Sequence, residues 1–288
     1  MSTQTPTQPP GIPTPKYFTS LAATYARQTG NATHDIFFAS LPAITALAPI
    51  TSTSSIHDNA AGPGTATSAL LPYLSTLPNP PTPQILITDN NPAMVAAARE
   101  AFPSSNNNSN ITISLMDSLT LSIPSSTLTH SLLSFSLPTL SSPLLALQQI
   151  HRSLQPSGLA AILTWKRFGA AEVIHAAQRL VKGDAAELMP VPWGGFMREG
   201  VVRDLVVQAG FKEEGVMVEE RGVVVKGEEL EGLRGFLLGE FTRGARRGWS
   251  LEEEEEAGWE GAVDRVLEGE RERFGGVRFE AWVVLARK

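Results

Sequence analysis

The stretch IHDNAAGPGTAT, residues 56–67, decides how the rest of the chain reads. Residues 54–57 can close a buried strand, and Asp58 stands at its carboxyl end. Gly62-Pro63-Gly64 then turns the chain into a run carrying Ala66, Ala69, Leu70 and Leu74, the spacing of an apolar helix face. A strand, a glycine turn and a helix make half of a βαβ unit. Glycine at such a turn lets a ligand approach the backbone without meeting a Cβ. Open α/β sheets bind ligands at the carboxyl ends of their strands. A tight turn with no ligand has the same composition, so the glycines alone do not choose between the two.

The next strand adds to the case. Residues 84–89, QILITD, are apolar at Ile85, Leu86 and Ile87 and end in an acid, Asp89. An acid there is placed to accept hydrogen bonds from a ribose diol. It can equally cap the helix that starts near Pro92, as can Asn90, and both roles can hold together. A nicotinamide-binding turn needs Gly or Ala at position 67, where this chain has Thr. That departure and the lack of a Tyr-x-x-x-Lys pair disfavour an oxidoreductase.

Bulk properties narrow the class. A chain of 288 residues with 42% hydrophobic and 18% charged residues can bury one substantial core. A formal charge of −6 lacks the basic balance of a general nucleic-acid binder. The acidic run Glu252–Glu256 reads as a solvated helix face. With no cysteine there is no thiolate nucleophile or cysteine metal site. The five histidines show no HxxxH or HxH spacing, so no metal is expected. The N-terminus, MSTQTPTQPPGIPTP, lacks the basic start and apolar centre of a signal peptide, and no apolar run spans a membrane. A cytoplasmic location and no membrane partner are the expectation.

Along the chain, residues 1–15 read as a disordered tail and 16–288 as one domain. Cap elements are expected at about 16–48, 168–200 and 226–276. A first helix starts at Lys16, and a second runs from about Thr33 to Ala48, bent at Pro42. Further expected elements are a helix at 94–102, strands at 111–116 and 128–137, a helix at 144–154, a turn at 155–158, and a strand at 159–165. Helices at 170–181 and 199–209 follow, then a strand within 211–225 broken near Arg221-Gly222. Helices at 228–243 and 251–274 and a last strand at 277–286 complete the chain. Alternating strands and helices of this length argue for a parallel sheet covered on both faces.

The spacing Asp58-x-Ala60-x-Gly62-x-Gly64 resembles the first motif, DxGxGxG, of class I S-adenosylmethionine methyltransferases, with Ala60 in place of the first glycine. The resemblance extends over about 17–287 and is carried by Tyr17-Phe18, YARQTG at 25–30, ITDNNPAM at 87–94, Met116-Asp117, THSLLSFSL at 129–137 and HRSLQPSGLAAILTWK at 151–166. The chain is most similar to the small-molecule methyltransferases of fungal secondary metabolism. That resemblance implies a Rossmann-like α/β fold: a seven-stranded, mostly parallel sheet of order 3-2-1-4-5-7-6 with strand 7 antiparallel, helices on both faces and N-terminal helices as a lid. It also implies residue roles. Asp58, Ala60, Gly62 and Gly64 face the methionine part of the cofactor. Asp89 binds the ribose, with Asn90 and Met94 beside the adenine, while Asp117 and Ser118 bind its amino group. Ser134 and Phe135 lie next to the sulfonium, and Tyr17, Tyr25 and Thr29 close over it.

The implied chemistry is methyl transfer from S-adenosylmethionine to a hydroxyl, carboxyl or nitrogen of a small molecule, leaving S-adenosylhomocysteine. A general base helps when the acceptor is a hydroxyl. His130, His151 and His175 are the candidates, with His175 nearest the expected substrate side. Trp165, Trp193, Phe196 and Phe236 are candidates to line the acceptor pocket. Leu230, Leu233, Phe236, Leu237 and Phe241 form a face expected to roof that pocket. Neither nucleic acid nor membrane is an expected partner, and a monomer or homodimer is. The alternative is a protein of this fold that binds S-adenosylmethionine without methylating, as a regulatory partner or as the catalyst of a rearrangement.

Overall fold

A seven-stranded sheet of order β3-β2-β1-β4-β5-β7-β6 organises the computed structural model. The structure describes Thr19 and residues 30–103, 110–191, 194–239, 242–243, 245–246 and 250–288. The strands are β1 (Ser55–Asn59), β2 (Gln84–Asp89), β3 (Ile111–Leu115), β4 (Leu128–Ser134), β5 (Leu154–Arg167), β6 (Val216–Val225) and β7 (Val277–Arg287). The pairs β1–β2, β1–β4, β2–β3 and β4–β5 are parallel, while β7 runs antiparallel between β5 and β6. The helices are α1 (Ala32–Leu47), α2 (Thr65–Ser75), α3 (Pro92–Ala101), α4 (Pro143–Ser153), α5 (Gly169–Lys182), α6 (Val201–Gln208), α7 (Glu228–Leu238), α8 (Leu251–Glu256) and α9 (Trp259–Phe274).

Alternation along each strand splits the core into two layers. Ile56, Ile87, Leu132, Ala161 and Leu163 pack with α1, α2, α5, α7 and α9 on one face. Leu133, Ala160, Ile162 and Val284 pack with α4 and α6 on the other. Both faces are therefore apolar, the pattern a parallel sheet needs.

Several expected boundaries move, each for a local reason. Helix α1 is not a lid. Ile36, Phe37, Leu41 and Ile44 are fully buried and belong to the first core layer. The N-cap of α3 is neither Asp89 nor Asn90 but Asn91, whose side chain accepts from the Ala93 N–H at 2.9 Å. Strand β4 stops at Ser134, and Leu137–Thr139 forms a 3-10 turn begun at Leu137-Pro138. The expected turn at 155–158 is a bulge inside β5: Leu154 pairs with Leu128, then Leu159 with His130. Strand β6 is unbroken through Arg221 and Gly222, which pair with Ala281 and Glu280. The long helix expected at 251–274 is two, divided where Gly258 takes a left-handed φ of 68°. The helix expected at 228–243 ends at Leu238, before Gly239. The expected tail 1–15 and the start of the first N-terminal helix lie outside the described residues.

If α1 is core, Phe37→Ala should cost about 3–5 kcal/mol. Urea denaturation measures it; a loss below about 1 kcal/mol would return α1 to the role of a detachable cover.

Candidate cofactor and acceptor site

One buried carboxylate joins β1, the turn and α2. Asp58 ends up fully buried at the carboxyl end of β1. Its Oδ2 accepts from the Thr67 N–H at 3.0 Å and from the Thr67 hydroxyl at 2.7 Å. Thr67 lies in the first turn of α2, where backbone N–H groups lack intrahelical partners and the dipole favours a negative charge. The other oxygen, Oδ1, is enclosed and meets no partner. Burial pushes the Asp58 carboxyl up to about 7; the two bonds from Thr67 pull it back, and the charge of Asp89 adds to the rise.

The turn between β1 and α2 is tied to β2. The Ala61 N–H donates to Thr88 O at 2.9 Å, and the Gly62 N–H to Asp89 Oδ2 at 2.8 Å. These bonds hold Ala60 at φ 48° and Gly62 at φ 56°. Left-handed backbone costs a residue with a Cβ about 1–2 kcal/mol, so Ala60 carries strain that glycine at this motif position avoids. Gly64 meets a packing constraint. It has φ 85°, and a Cβ there would stand 2.5 Å from the Phe102 ring. Asp89 also accepts from the Asn91 N–H at 2.8 Å. Burial raises its carboxyl above the usual range, against the pull of the Asn91, Gly62 and Asn90 N–H groups.

A cavity of about 450 Å³ opens along these strand ends, within the range of small-ligand sites. Of the residues expected there, Asp58, Ala60, Gly62, Asp89, Asn90, Met94, Asp117, Ser134 and Phe135 line it. Residues not anticipated include Thr19, Thr33, Asn91 and Leu119, and the segment Ser136, Thr139, Leu140 and Ser141 beyond β4. Thr33 of α1 has an enclosed hydroxyl with no partner. Phe135 sits at φ 58°, held by its N–H to Leu163 O at 2.8 Å and by its ring 4.0 Å from that of Trp165. Ala60 and Phe135 are thus two left-handed non-glycine residues on one cavity wall, and such strain gathers at functional sites.

Other expected residues stand elsewhere. Gly64 is not part of the cavity lining. Ser118 is buried and donates to Asn59 Oδ1 at 2.8 Å. Trp165 packs among Phe135, Phe168 and Phe279 in the core, away from the cavity lining. Phe196 packs against the second core layer, and Phe236 is buried in the first. No described residue of 226–276 lines the cavity, so the expected roof is replaced by packing of α7 against α5 and α9. The histidines are equally removed. His130 hydrogen-bonds Thr129 Oγ1 and Ala48 O, and burial lowers its affinity for a proton. His151 stacks edge-on against Phe211. His175 Nε2 meets Met189 O at 2.7 Å. Buried His57, not singled out by the sequence, bonds Thr88 Oγ1, and burial pushes it down to about 3. Tyr17, Tyr25, Thr29, Trp193 and Phe241 lie outside the described residues. Among those described, no group of three His, Asp or Glu side chains is placed to hold a metal ion.

Residues 58–162 match the family model described as "Methyltransferase domain". The match runs from Asp58 into β5 and contains most of the cavity. The strand order and the antiparallel β7 are those of the Rossmann-like fold of class I methyltransferases, and the cofactor that goes with the matched domain is S-adenosylmethionine. Among curated proteins none matches the chain. Solved structures similar to it include Haemonchus contortus phosphoethanolamine N-methyltransferase 2 in complex with phosphomonomethylethanolamine and S-adenosylhomocysteine. That structure shares 14% identity at a TM-score of 0.53, over 95% of this chain and 58% of that one. The YcgJ protein of Bacillus subtilis shares 14% identity at 0.51, over 87% of this chain and 98% of that one. The MccD protein shares 14% identity at 0.51, over 86% and 96%. At such identities the likeness is one of fold.

The site fits the cofactor on its own features. Asp58 Oδ1 is an acceptor in need of a donor, Asp89 has lone pairs beyond those used by the backbone, and the turn is shaped by Gly62.

Because the folded-state affinity of Asp58 for a proton is raised, stability from this group is full below about pH 4 and falls as pH rises toward about 7. Asp58→Asn keeps the shape and removes the titration. Melting temperatures from pH 5 to 8 should show the variant gaining on the wild type as pH rises; parallel curves would mean that Asp58 ionises normally.

Proposed function

We propose that this chain transfers a methyl group from S-adenosylmethionine to a hydroxyl, carboxyl or nitrogen of a small-molecule metabolite, as a cytoplasmic enzyme of secondary metabolism working as monomer or homodimer. The supporting observation is one continuous cavity that runs from Asp117 and Asp89 past Asp58 to Ser134 and Phe135. Bound S-adenosylmethionine supplies a methyl carbon made electrophilic by its sulfonium. The protein's part is then to hold, orient and keep dry.

In this reading Asp89 accepts from the ribose hydroxyls while its backbone bonds hold the carboxylate still. Asn90 and Met94 flank the adenine, and Asp117 reaches its amino group. Asp58 Oδ1 accepts from the methionine ammonium, whose charge favours the ionised carboxylate. The Thr19 hydroxyl accepts from the Asn91 side-chain amide at the cavity lining. Tyr17, Tyr25 and Thr29 belong to the same proposal as the cover. Among the described residues no histidine lines the cavity. An acceptor that is already nucleophilic, such as an amine, needs no base there. The same observation motivates the second reading, binding of S-adenosylmethionine without methylation.

Both readings predict binding, and turnover divides them. S-Adenosylmethionine and S-adenosylhomocysteine should raise the melting temperature by mass action; absence of any shift at millimolar ligand would sink both. Release of S-adenosylhomocysteine that depends on an added small-molecule acceptor would establish transfer. Asp89→Asn should weaken cofactor binding by roughly 10-fold or more, through the loss of charge-assisted hydrogen bonds. Calorimetric titration reads it, and unchanged affinity would reduce Asp89 to a fastener of the turn.

A further inference from the structure

Resting on the methyl-transfer reading, we propose that the acceptor is a polar molecule without negative charge, neutral or cationic, held by the segment Ser134–Ser141 that follows β4.

The first ground is charge. The ionisable side chains lining the cavity, among the described residues, are Asp58, Asp89 and Asp117, and no lysine, arginine or histidine joins them. The nearest strands place their cations elsewhere: Lys166 and Arg167 at the end of β5 pair with Glu220, Glu280 and Glu172. S-Adenosylmethionine carries one net positive charge, against three acids. A carboxylate or phosphate brought into such walls finds, among the described residues, no cationic side chain to offset its desolvation. A neutral molecule or an amine meets no such penalty.

The second ground is the set of groups left unpaired. Strand β4 lies on the far side of β1 from β2. A cofactor whose ribose sits at Asp89 therefore leaves the β4 end for the acceptor. That end is lined by Ser134, Ser136, Thr139 and Ser141, with Phe135 and Leu140 as apolar wall. The Thr139 hydroxyl is used internally, donating to Ser136 O at 2.7 Å. The hydroxyl oxygens of Ser134 and Ser136 are enclosed and meet no partner. Enclosed polar atoms are rarely left unpaired. A hydroxyl both donates and accepts and re-aims by rotation about χ1. Two such hydroxyls in one cavity lining suit a hydroxyl, amide or amine.

Calorimetry with the full chain and four probes tests this. One probe is S-adenosylhomocysteine. The others are aza analogues of S-adenosylmethionine in which nitrogen replaces the sulfur and carries a propyl arm tipped with hydroxyl, ammonium or carboxylate. The hydroxyl and ammonium arms should each bind at least about 10-fold more tightly than the carboxylate arm. Ser136→Ala should weaken the hydroxyl arm by about 5- to 10-fold and leave S-adenosylhomocysteine unchanged. A carboxylate arm that binds as tightly as the others overturns the proposal, as does a hydroxyl arm indifferent to that substitution. If a variant no longer binds S-adenosylhomocysteine, the wild-type ranking of the three arms decides. Failure of the wild type to bind S-adenosylhomocysteine at all is a different result, and removes the cofactor reading together with this one.

Discussion

The two oxygens of the Asp58 carboxylate are used differently. One is committed to Thr67, through an N–H and a hydroxyl, and so fastens the start of α2 to the end of β1. The other is enclosed with nothing to bind. Hydrogen bonds to a charged group contribute about 1.5–3 kcal/mol each, and they offset part of the desolvation that raises this acid's affinity for a proton. The turn cannot drift while this bond holds. The backbone of 60–62 is then pinned from the other side by Thr88 and Asp89 on β2. The ends of β1 and β2 are thus locked around one opening before any ligand is considered.

That lock explains why the backbone around the cavity departs from comfortable geometry. Ala60 and Phe135 both take left-handed φ. The cost is borne because their neighbours over-determine them: Ala61 and Gly62 bond to β2, and Phe135 bonds to β5 while its ring rests on Trp165. Trp165 therefore acts on the site through Phe135, from inside the core. Helix α1 contributes in a similar way. It is held by Ile36, Phe37, Leu41 and Ile44, and it carries Thr33 to the cavity wall. Core packing and site geometry are one system on this face of the sheet.

Much of this was legible in the chain itself. IHDNAAGPGTAT and QILITD specify two strand–turn–helix units, because apolar alternation, a strand-end acid and turn glycines are local signals. The strand order with its antiparallel β7 followed from the resemblance that these motifs carry. So did the placing of Asp58, Ala60, Gly62, Asp89, Asn90, Met94, Asp117, Ser134 and Phe135 along one rim, since residues at the carboxyl ends of adjacent parallel strands must converge.

What only the tertiary structure decided is which side of each element faces the cavity. Helical spacing marks Phe236 and its neighbours as buried, but it does not say against what; they pack on α5 and α9. An aromatic such as Trp165 is as well suited to a core as to a ligand wall, and the register of β5 sends it to the core. Gly64 reads as a ligand-contacting glycine until Phe102, from the end of another helix, is seen to fill its Cβ position. The hydroxyls of Ser136, Thr139 and Ser141 were hidden because the apolar pattern reads as one strand through Leu137, whereas Leu137–Thr139 forms a 3-10 turn and these residues line the cavity. Periodicity along a sequence records how often a residue is buried; contact across the sheet, set by register and by helices distant in the chain, determines what buries it.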